Sequence, residues 1–279
     1  MIHIDKNTVQ ETLIIPLYAR RLCAEVYPDM LYDAEAERLI ANLDYDFSEK
    51  GKLMHTKAGL FGALEVAQRH YDITCEVESY LAAHPEACVV NLGCGLDTTF
   101  RRVDNGHCTG YNLDLPDVIN VRNALLPAGE REYNIACDLN DFSWMQRIGF
   151  DEQKGAVFFA AGVFYYFKTE QVVALLSAMA KAFPGGKIVF DACNKIGAKM
   201  MTKTWLKEAG ITDVGAYFSL SNAAKALSGI CDSIETVTAK GYMNGYRRID
   251  RRFGTFNRVM AGFGDAVIKM QIVRIDFRL

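Results

Sequence analysis

Apolar residues recur at helical spacing on both sides of Tyr27-Pro28 in the stretch ETLIIPLYARRLCAEVYPDMLYDAEAERLIANLDYDF, and Pro16 sits where a first helical turn accepts it. The pattern predicts a helical N-terminal cap. A second helical run, GALEVAQRHYDITCEVESYLAA, leads to His84-Pro85. From there short apolar runs alternate with longer amphipathic ones, the signature of a sheet wound with helices. Strands are predicted at CVVNLG (88 to 93), TGYNLD (109 to 114), YNIACD (133 to 138), GAVFFAAGVF (155 to 164) and KIVFDA (187 to 192). Between the last two lies the helical run TEQVVALLSAMAKAFPGG, with Thr169 as its expected N-cap and Gly185-Gly186 as its stop.

The later segment GAKMMTKTWLKEAGITDVGAYFSLSNAAKALSG reads as two helices around a loop. SIETVTAKGYMNGY and DAVIKMQIVRIDF alternate as strands that pair antiparallel at the sheet edge, with a basic and aromatic loop between them. The chain shows neither an internal repeat nor a low-complexity linker. It divides into a helical cap and lid, residues 1–83, and an α/β core, residues 84–279, with an insertion around 196–230.

Half of the 279 residues are hydrophobic, enough for one large core. The formal net charge of -3 gives no electrostatic case for nucleic acid or an anionic membrane, which call for clustered Lys and Arg. The N-terminal stretch carries His3, Asp5 and Lys6 in place of a secretory signal, and no run approaches the roughly 20 apolar residues that span a bilayer. A cytoplasmic location is expected. The 8 cysteines form no C-x-x-C pair and have no histidine at finger spacing, so they read as reduced, mostly buried small hydrophobes and no metal is expected.

The chemistry concentrates in NLGCGLDTTF, residues 91 to 100. A strand that ends in Gly93-x-Gly95 and leads into a helix turns sharply and lets a ligand touch bare backbone. The dinucleotide fingerprint asks for a third glycine so that a pyrophosphate can rest on the helix N-terminus, and here that position is Thr98. Asp114 closes the second strand about twenty residues beyond the glycines, where a carboxylate accepts from two ribose hydroxyls. Asp138 closes the third, placed to accept from an adenine amino group with Leu139 against the ring. Each aspartate alone also suits a helix cap or turn. The set describes an adenosine site without a phosphate seat, and S-adenosylmethionine is an adenosine joined to an amino acid with no phosphate.

VVNLGCGLDTTF, followed by YNLDLPDVI, ACDLND and FFAAGVFYYF, resembles the leucine carboxyl methyltransferase family, in its bacterial branch of polyketide, tetracenomycin-type O-methyltransferases. The likeness runs from about residue 10 to residue 195. It implies a class I S-adenosylmethionine-dependent methyltransferase fold, Rossmann-like, with a seven-stranded, mostly parallel sheet and a helical lid. It implies that Arg69 holds the methionine carboxylate of the cofactor, that Arg20 lies near a basic position serving the same group, and that Gly93 and Gly95 form the cofactor turn. Asp114 then meets the ribose, Asp138 with Leu139 the adenine, and Leu115 lies among the cofactor-binding residues. The family glutamate is replaced by Ala161, Asp33-Ala34 stands where members often have Asp-Pro, and Tyr166 keeps the family tyrosine as a wall of the methyl-transfer chamber.

The implied reaction is methyl transfer to an oxygen of a small, possibly polyketide-like molecule, leaving S-adenosylhomocysteine. No His-Asp base motif is evident, since His55 and His70 near Arg69 read as packed or exposed, and a carboxylate acceptor needs no base. That leans toward a carboxyl acceptor, walled by GAYFSLSNAAKALSG and the cap. Two alternatives stay open: an S-adenosylmethionine-binding protein that has lost transfer with the Ala161 change, and an NAD-dependent oxidoreductase, disfavoured by the missing glycine and by Asp138-Leu139.

Overall fold

The alternating apolar runs close into a seven-stranded sheet in the computed structural model, which describes residues 1–4, 13–29, 33–201 and 217–279. Its strands are β1 (Cys88–Leu92), β2 (Thr109–Asp114), β3 (Glu132–Ala136), β4 (Ala156–Ala160), β5 (Lys187–Ala192), β6 (Ile234–Gly241) and β7 (Gln271–Phe277). They lie in the order β3-β2-β1-β4-β5-β7-β6, with only β7 antiparallel to its neighbours. The expected edge hairpin is present. The chain reverses its direction across the sheet between β1 and β4, and at such a switch point a crevice opens at the strands' carboxyl ends.

Both sheet faces are covered, which explains why the central strands read as continuous apolar runs. Val89, Val157, Phe159 and Val189 meet one long helix on one face, while Val90, Phe158, Ile188 and Phe190 meet another on the opposite face. The helices in chain order are α1 (Ile14–Val26), α2 (Ala34–Ala41), α3 (Ser48–Met54), α4 (Lys57–Ala83), α5 (Thr99–Val103), α6 (Pro116–Leu125), α7 (Thr169–Ala182), α8 (Lys195–Met201), α9 (Ala223–Leu227) and α10 (Gly254–Phe263). The Tyr27-Pro28 break separates α1 from α2, and Asp33 caps α2 by accepting from the Ala36 amide. Ala34 is then the first helical residue, a position that tolerates proline equally well, so this departure from Asp-Pro leaves the cap unaltered. A third apolar cluster, including Ile14, Leu17, Leu39, Leu96 and Val121, fastens the cap helices to the core. Among the described residues no helix is long and apolar enough to cross a membrane, and all the cysteines are free.

Some expectations are corrected. Thr169 is the first residue of α7 and not its cap; Gln171 Oε1 accepts from the amide of Lys168, one residue earlier. The helix stops at Phe183-Pro184, and Gly185 takes the left-handed turn at φ 70°. The expected loop before β7 contains α10, whose buried Asn257 and Ala261 repeat at helical spacing. DAVIKM is not strand: residues Gly264–Ile268 form a wide helical turn ended by Lys269 at φ 58°, and β7 starts at Gln271.

Asp72, buried midway along α4, accepts from the Tyr246 amide at 3.1 Å, yet burial pushes its carboxyl up to about 7. The folded state therefore keeps a proton that the unfolded chain releases near pH 4. The stability this contributes is complete below that pH and is lost as the pH rises through about 7. Asp72→Asn keeps an acceptor for the amide without the titration. Thermal unfolding followed across this pH range should show the wild-type midpoint falling relative to the variant; parallel curves would contradict the assignment.

Candidate functional site

The glycine turn follows directly from β1. Gly93 (φ 68°) and Gly95 (φ 47°) both occupy the left-handed region, and a Cβ on Gly93 would come within 2.6 Å of Val163 Cγ2. Where a pyrophosphate site would present free amides, Asp97 already supplies the anion: its Oδ1 accepts from the Thr99 amide at 2.7 Å and from Asn91 Nδ2 at 3.1 Å. Thr98, in the place of the third glycine, accepts from Arg20. The phosphate seat is filled by the protein itself.

The turn is clamped from behind by Arg122 of α6, which is fully buried. Its Nη1 donates to the carbonyls of Gly95 (2.9 Å) and Asp97 (2.7 Å), its Nε donates to Asn134 Oδ1, and its Nη2 lies 3.3 Å from Glu132 Oε1. On the cavity side His70 Nδ1 lies 3.3 Å from Asp97 Oδ2. Burial works against the Asp97 charge, but the His70 hydrogen bond and charge, with Arg20, hold its carboxyl well below the usual range. This buried His-Asp pair was not apparent in the sequence, whereas His55 is exposed.

Asp114 points its carboxylate back at the turn, accepting from the amides of Gly95 (2.7 Å) and Leu115 (2.8 Å); burial raises its pKa against these bonds. Asp138 Oδ1 accepts from the amide and side chain of Asn140, and Leu139 behind it is buried. The arrangement places two carboxylates and an apolar floor along successive strand ends, suited to hydroxyl and amino donors on a flat heterocycle.

Arg69 projects from α4 to the end of β5, where its Nη1 meets Asp191 Oδ2 at 3.1 Å. Asp191 Oδ1 accepts from the Gly162 amide at 2.6 Å, and Gly162 (φ 74°) allows close approach, since a Cβ there would fall 2.8 Å from the guanidinium. Burial disfavours the Arg69 charge, but Asp191 first, then Tyr242, Tyr165 and Glu65, raise its pKa overall. Glu65, one turn earlier on α4, accepts from the Tyr242 hydroxyl at 3.2 Å.

Two cavities meet at this cluster. The larger, about 510 Å³, is lined by every residue the sequence suggested: Arg20, Arg69, Gly93, Gly95, Asp114, Leu115, Asp138, Leu139, Ala161 and Tyr166. Neither Arg20 nor Arg69 is a surface ion pair. Arg20 is buried, pairs with Asp33 at 3.3 Å and donates to Leu96 O and Thr98 Oγ1, so it ties α1 to the turn. The second cavity, about 350 Å³, adjoins the first through Ile15, Glu65, Arg69 and Met201. Of the aromatic run, Phe164 is core, Tyr165 faces the second cavity, and Tyr166 with Phe167 faces the first. GAYFSLSNAAKALSG lines neither cavity with its described residues. Phe218, Leu220, Ala223 and Leu227 pack into the core on the opposite sheet face, and residues 215 and 216 lie outside the described residues. The wall comes instead from the cap, α8 and α10.

The sequence reading missed Asp191, Glu65, Tyr242 and Arg122. Asp191 carried a readable signal, being an acidic residue at the carboxyl end of a strand like Asp114. Glu65 and Tyr242 are brought together only by the fold.

The family model for leucine carboxyl methyltransferase matches residues 8–180. The chain is 30% identical over 185 residues to the tetracenomycin polyketide synthesis O-methyltransferase of Streptomyces glaucescens, covering 66% of each protein, so it spans just under two thirds of that relative. Among solved structures, a DUF574 family protein from Streptomyces avermitilis aligns with a TM-score of 0.56 at 10% identity over 94% of this chain and 97% of that one. The plantazolicin methyltransferase, in complex with a triazolic desmethylPZN analogue and S-adenosylhomocysteine, aligns with a TM-score of 0.53 at 14% identity over 97% and 100%. A putative methyltransferase from Thermobifida fusca gives 0.52 at 14% over 93% and 94%. These likenesses show a shared fold, that of class I methyltransferases.

Arg122→Ala would leave the Gly95 and Asp97 carbonyls without their donor, while Glu132 keeps Arg101 and Asn112. A buried acceptor left unpaired costs about 1–3 kcal/mol, so chemical denaturation should show a loss of that size, accompanied by weakened ligand binding at the turn. A loss below about 1 kcal/mol, the range of exposed pairs, would show that the clamp is dispensable.

Proposed function

The chain belongs to the leucine carboxyl methyltransferase family, and on that premise we propose that it transfers a methyl group from S-adenosylmethionine to an oxygen of a small-molecule acceptor. The observation that carries this reading is the convergence of all the sequence-selected residues on one cavity beside a second, apolar one. In its favour, the first cavity has the donor and acceptor set of an adenosyl amino acid, and Asp97 already neutralises the amides that a phosphate would use.

Asp114 accepts from the ribose hydroxyls, its geometry fixed by two amides; Asp138 accepts from the adenine amino group, with Leu139 and Leu115 enclosing the ring. Arg69 holds the methionine carboxylate, oriented from behind by Asp191 and Gly162. Arg20 acts one step back, holding α1 over the turn. Ala161 contributes wall without a hydrogen bond, and Tyr166 closes the first cavity beside it. When bound, the cofactor supplies an electrophilic methyl on a sulfonium. The chain's part is to align the acceptor oxygen with that methyl and to exclude water. We assign residues 1–83 as cap and lid and 84–279 as the core, with the inserted segment contributing Gly197, Met200 and Met201 to the second cavity. Eight unpaired cysteines accord with a cytoplasmic location.

Calorimetric titration with S-adenosylmethionine, S-adenosylhomocysteine and NAD tests the reading. Micromolar binding of the adenosyl ligands is expected, with none for NAD, and Arg69→Ala and Asp114→Asn should each weaken it by about tenfold or more, or 1.4 kcal/mol. A folded protein that binds neither adenosyl ligand would refute the assignment, and one that binds NAD alone would favour the oxidoreductase.

A further inference from the structure

One face of α4 forms a wall of the first cavity: Gly62, Glu65, Val66, Arg69 and His70 follow one another at helical spacing and all line it. Its polar members differ in their commitments. His70 is taken up by Asp97, whereas Glu65 and Arg69, four residues apart, are neighbours of opposite charge on the helix surface. Asp191 holds Arg69 from the other side. Of the two cavities it lines only the second, and its oxygens are engaged by the Arg69 guanidinium and the Gly162 amide. Asp97 and Asp114 direct their oxygens to backbone amides of the turn, and Ala161 has no side-chain acceptor. The acid that stands beside Arg69 and faces the first cavity is Glu65.

Resting on the reading above, we propose that Glu65 accepts from the α-ammonium group of the cofactor, so that Glu65 and Arg69 together recognise the zwitterionic head of S-adenosylmethionine. An α-amino acid carries its ammonium and carboxylate on one carbon. A carboxylate and a guanidinium one helical turn apart, about 5–6 Å between their Cβ atoms, present the complementary pair. Glu65 Oε1 accepts from the Tyr242 hydroxyl at 3.2 Å, which orients the carboxylate; among the described residues Oε2 accepts no hydrogen bond, and it is the oxygen assigned to the ammonium. The groups facing Glu65 are Arg69 on its own helix, Asp191 and Cys193 at the end of β5, Tyr242 after β6, and Tyr165 after β4. Burial first, with Asp191 adding, pushes the Glu65 carboxyl up to about 7, against the opposing pull of Arg69 and Tyr242. A buried carboxylate whose neighbouring guanidinium is engaged elsewhere is costly to ionise, and a bound ammonium supplies the missing counter-charge. Binding therefore favours the ionised form of Glu65. Affinity for the zwitterion is reduced below that pKa, rises with pH through about 7 and levels off above it.

The test is calorimetric titration of the full chain with probes that share an adenosine and a thioether: S-adenosylhomocysteine, its deamino analogue, which keeps the carboxylate but lacks the amino group, and 5′-methylthioadenosine, which lacks the whole head. The proteins are the wild type, Glu65→Gln and Glu65→Asp. Above the Glu65 pKa of about 7, the wild type should bind S-adenosylhomocysteine at least about tenfold tighter than the deamino analogue, and this preference should shrink as the pH falls through that value. Glu65→Gln should remove most of the preference together with its pH dependence, and Glu65→Asp should restore part of it. 5′-Methylthioadenosine should bind all three proteins alike, which shows that the fold and the adenosine end are intact. A preference unchanged in Glu65→Gln, a wild type that binds the two head-bearing ligands equally, or a loss of 5′-methylthioadenosine binding as large as that of S-adenosylhomocysteine would overturn the proposal. If neither variant folds, the wild-type preference and its pH dependence decide it alone. Failure of S-adenosylhomocysteine to bind the wild type would instead strike the methyltransferase reading itself.

Discussion

A guanidinium with no access to water holds the glycine turn in place. Arg122 donates to the carbonyls of Gly95 and Asp97 and balances its charge on Glu132. Because it is buried, each donor must be satisfied, and the planar fork admits few arrangements that satisfy them all. The remainder of the site is built on this fixed geometry: Asp114 reaches the Gly95 amide, His70 reaches Asp97, and Arg20 ties the cap to Leu96 and Thr98. A chain of polar contacts thus runs from the core through the turn to α1.

The acids at the ends of the strands and turns are chemically distinct because their surroundings are distinct. Asp97 is held ionised by His70 and Arg20 and serves the protein's own amides. Asp114 is raised by burial and shared with the turn. Asp191 faces a half-buried arginine and a glycine amide, orienting one and anchoring the other. One residue type, placed on one sheet edge, yields a capping anion, a carboxylate shared with the turn and an orienting group.

The parts of this arrangement that are local along the chain were legible in the sequence. Five strands, the glycine turn and the acids after β2 and β3 announce themselves through short-range pattern. The pairing of Arg69 with Asp191 spans 122 residues, and that of Glu65 with Tyr242 spans 177, so only tertiary structure joins them. Arg122 reads as part of a polar helix face until the fold buries it. Glycines in GTFNRVMAGF conceal α10, and the amphipathic run around 217–229 does not state which sheet face it will cover.

Glu65 and Arg69 line both cavities. A ligand on either side changes the field and the rotamers presented to the other. The free energy of that cross-talk is the same whichever ligand arrives first. Any two ligands that meet Glu65 and Arg69 from opposite sides are therefore thermodynamically linked, each altering the other's hold on the protein.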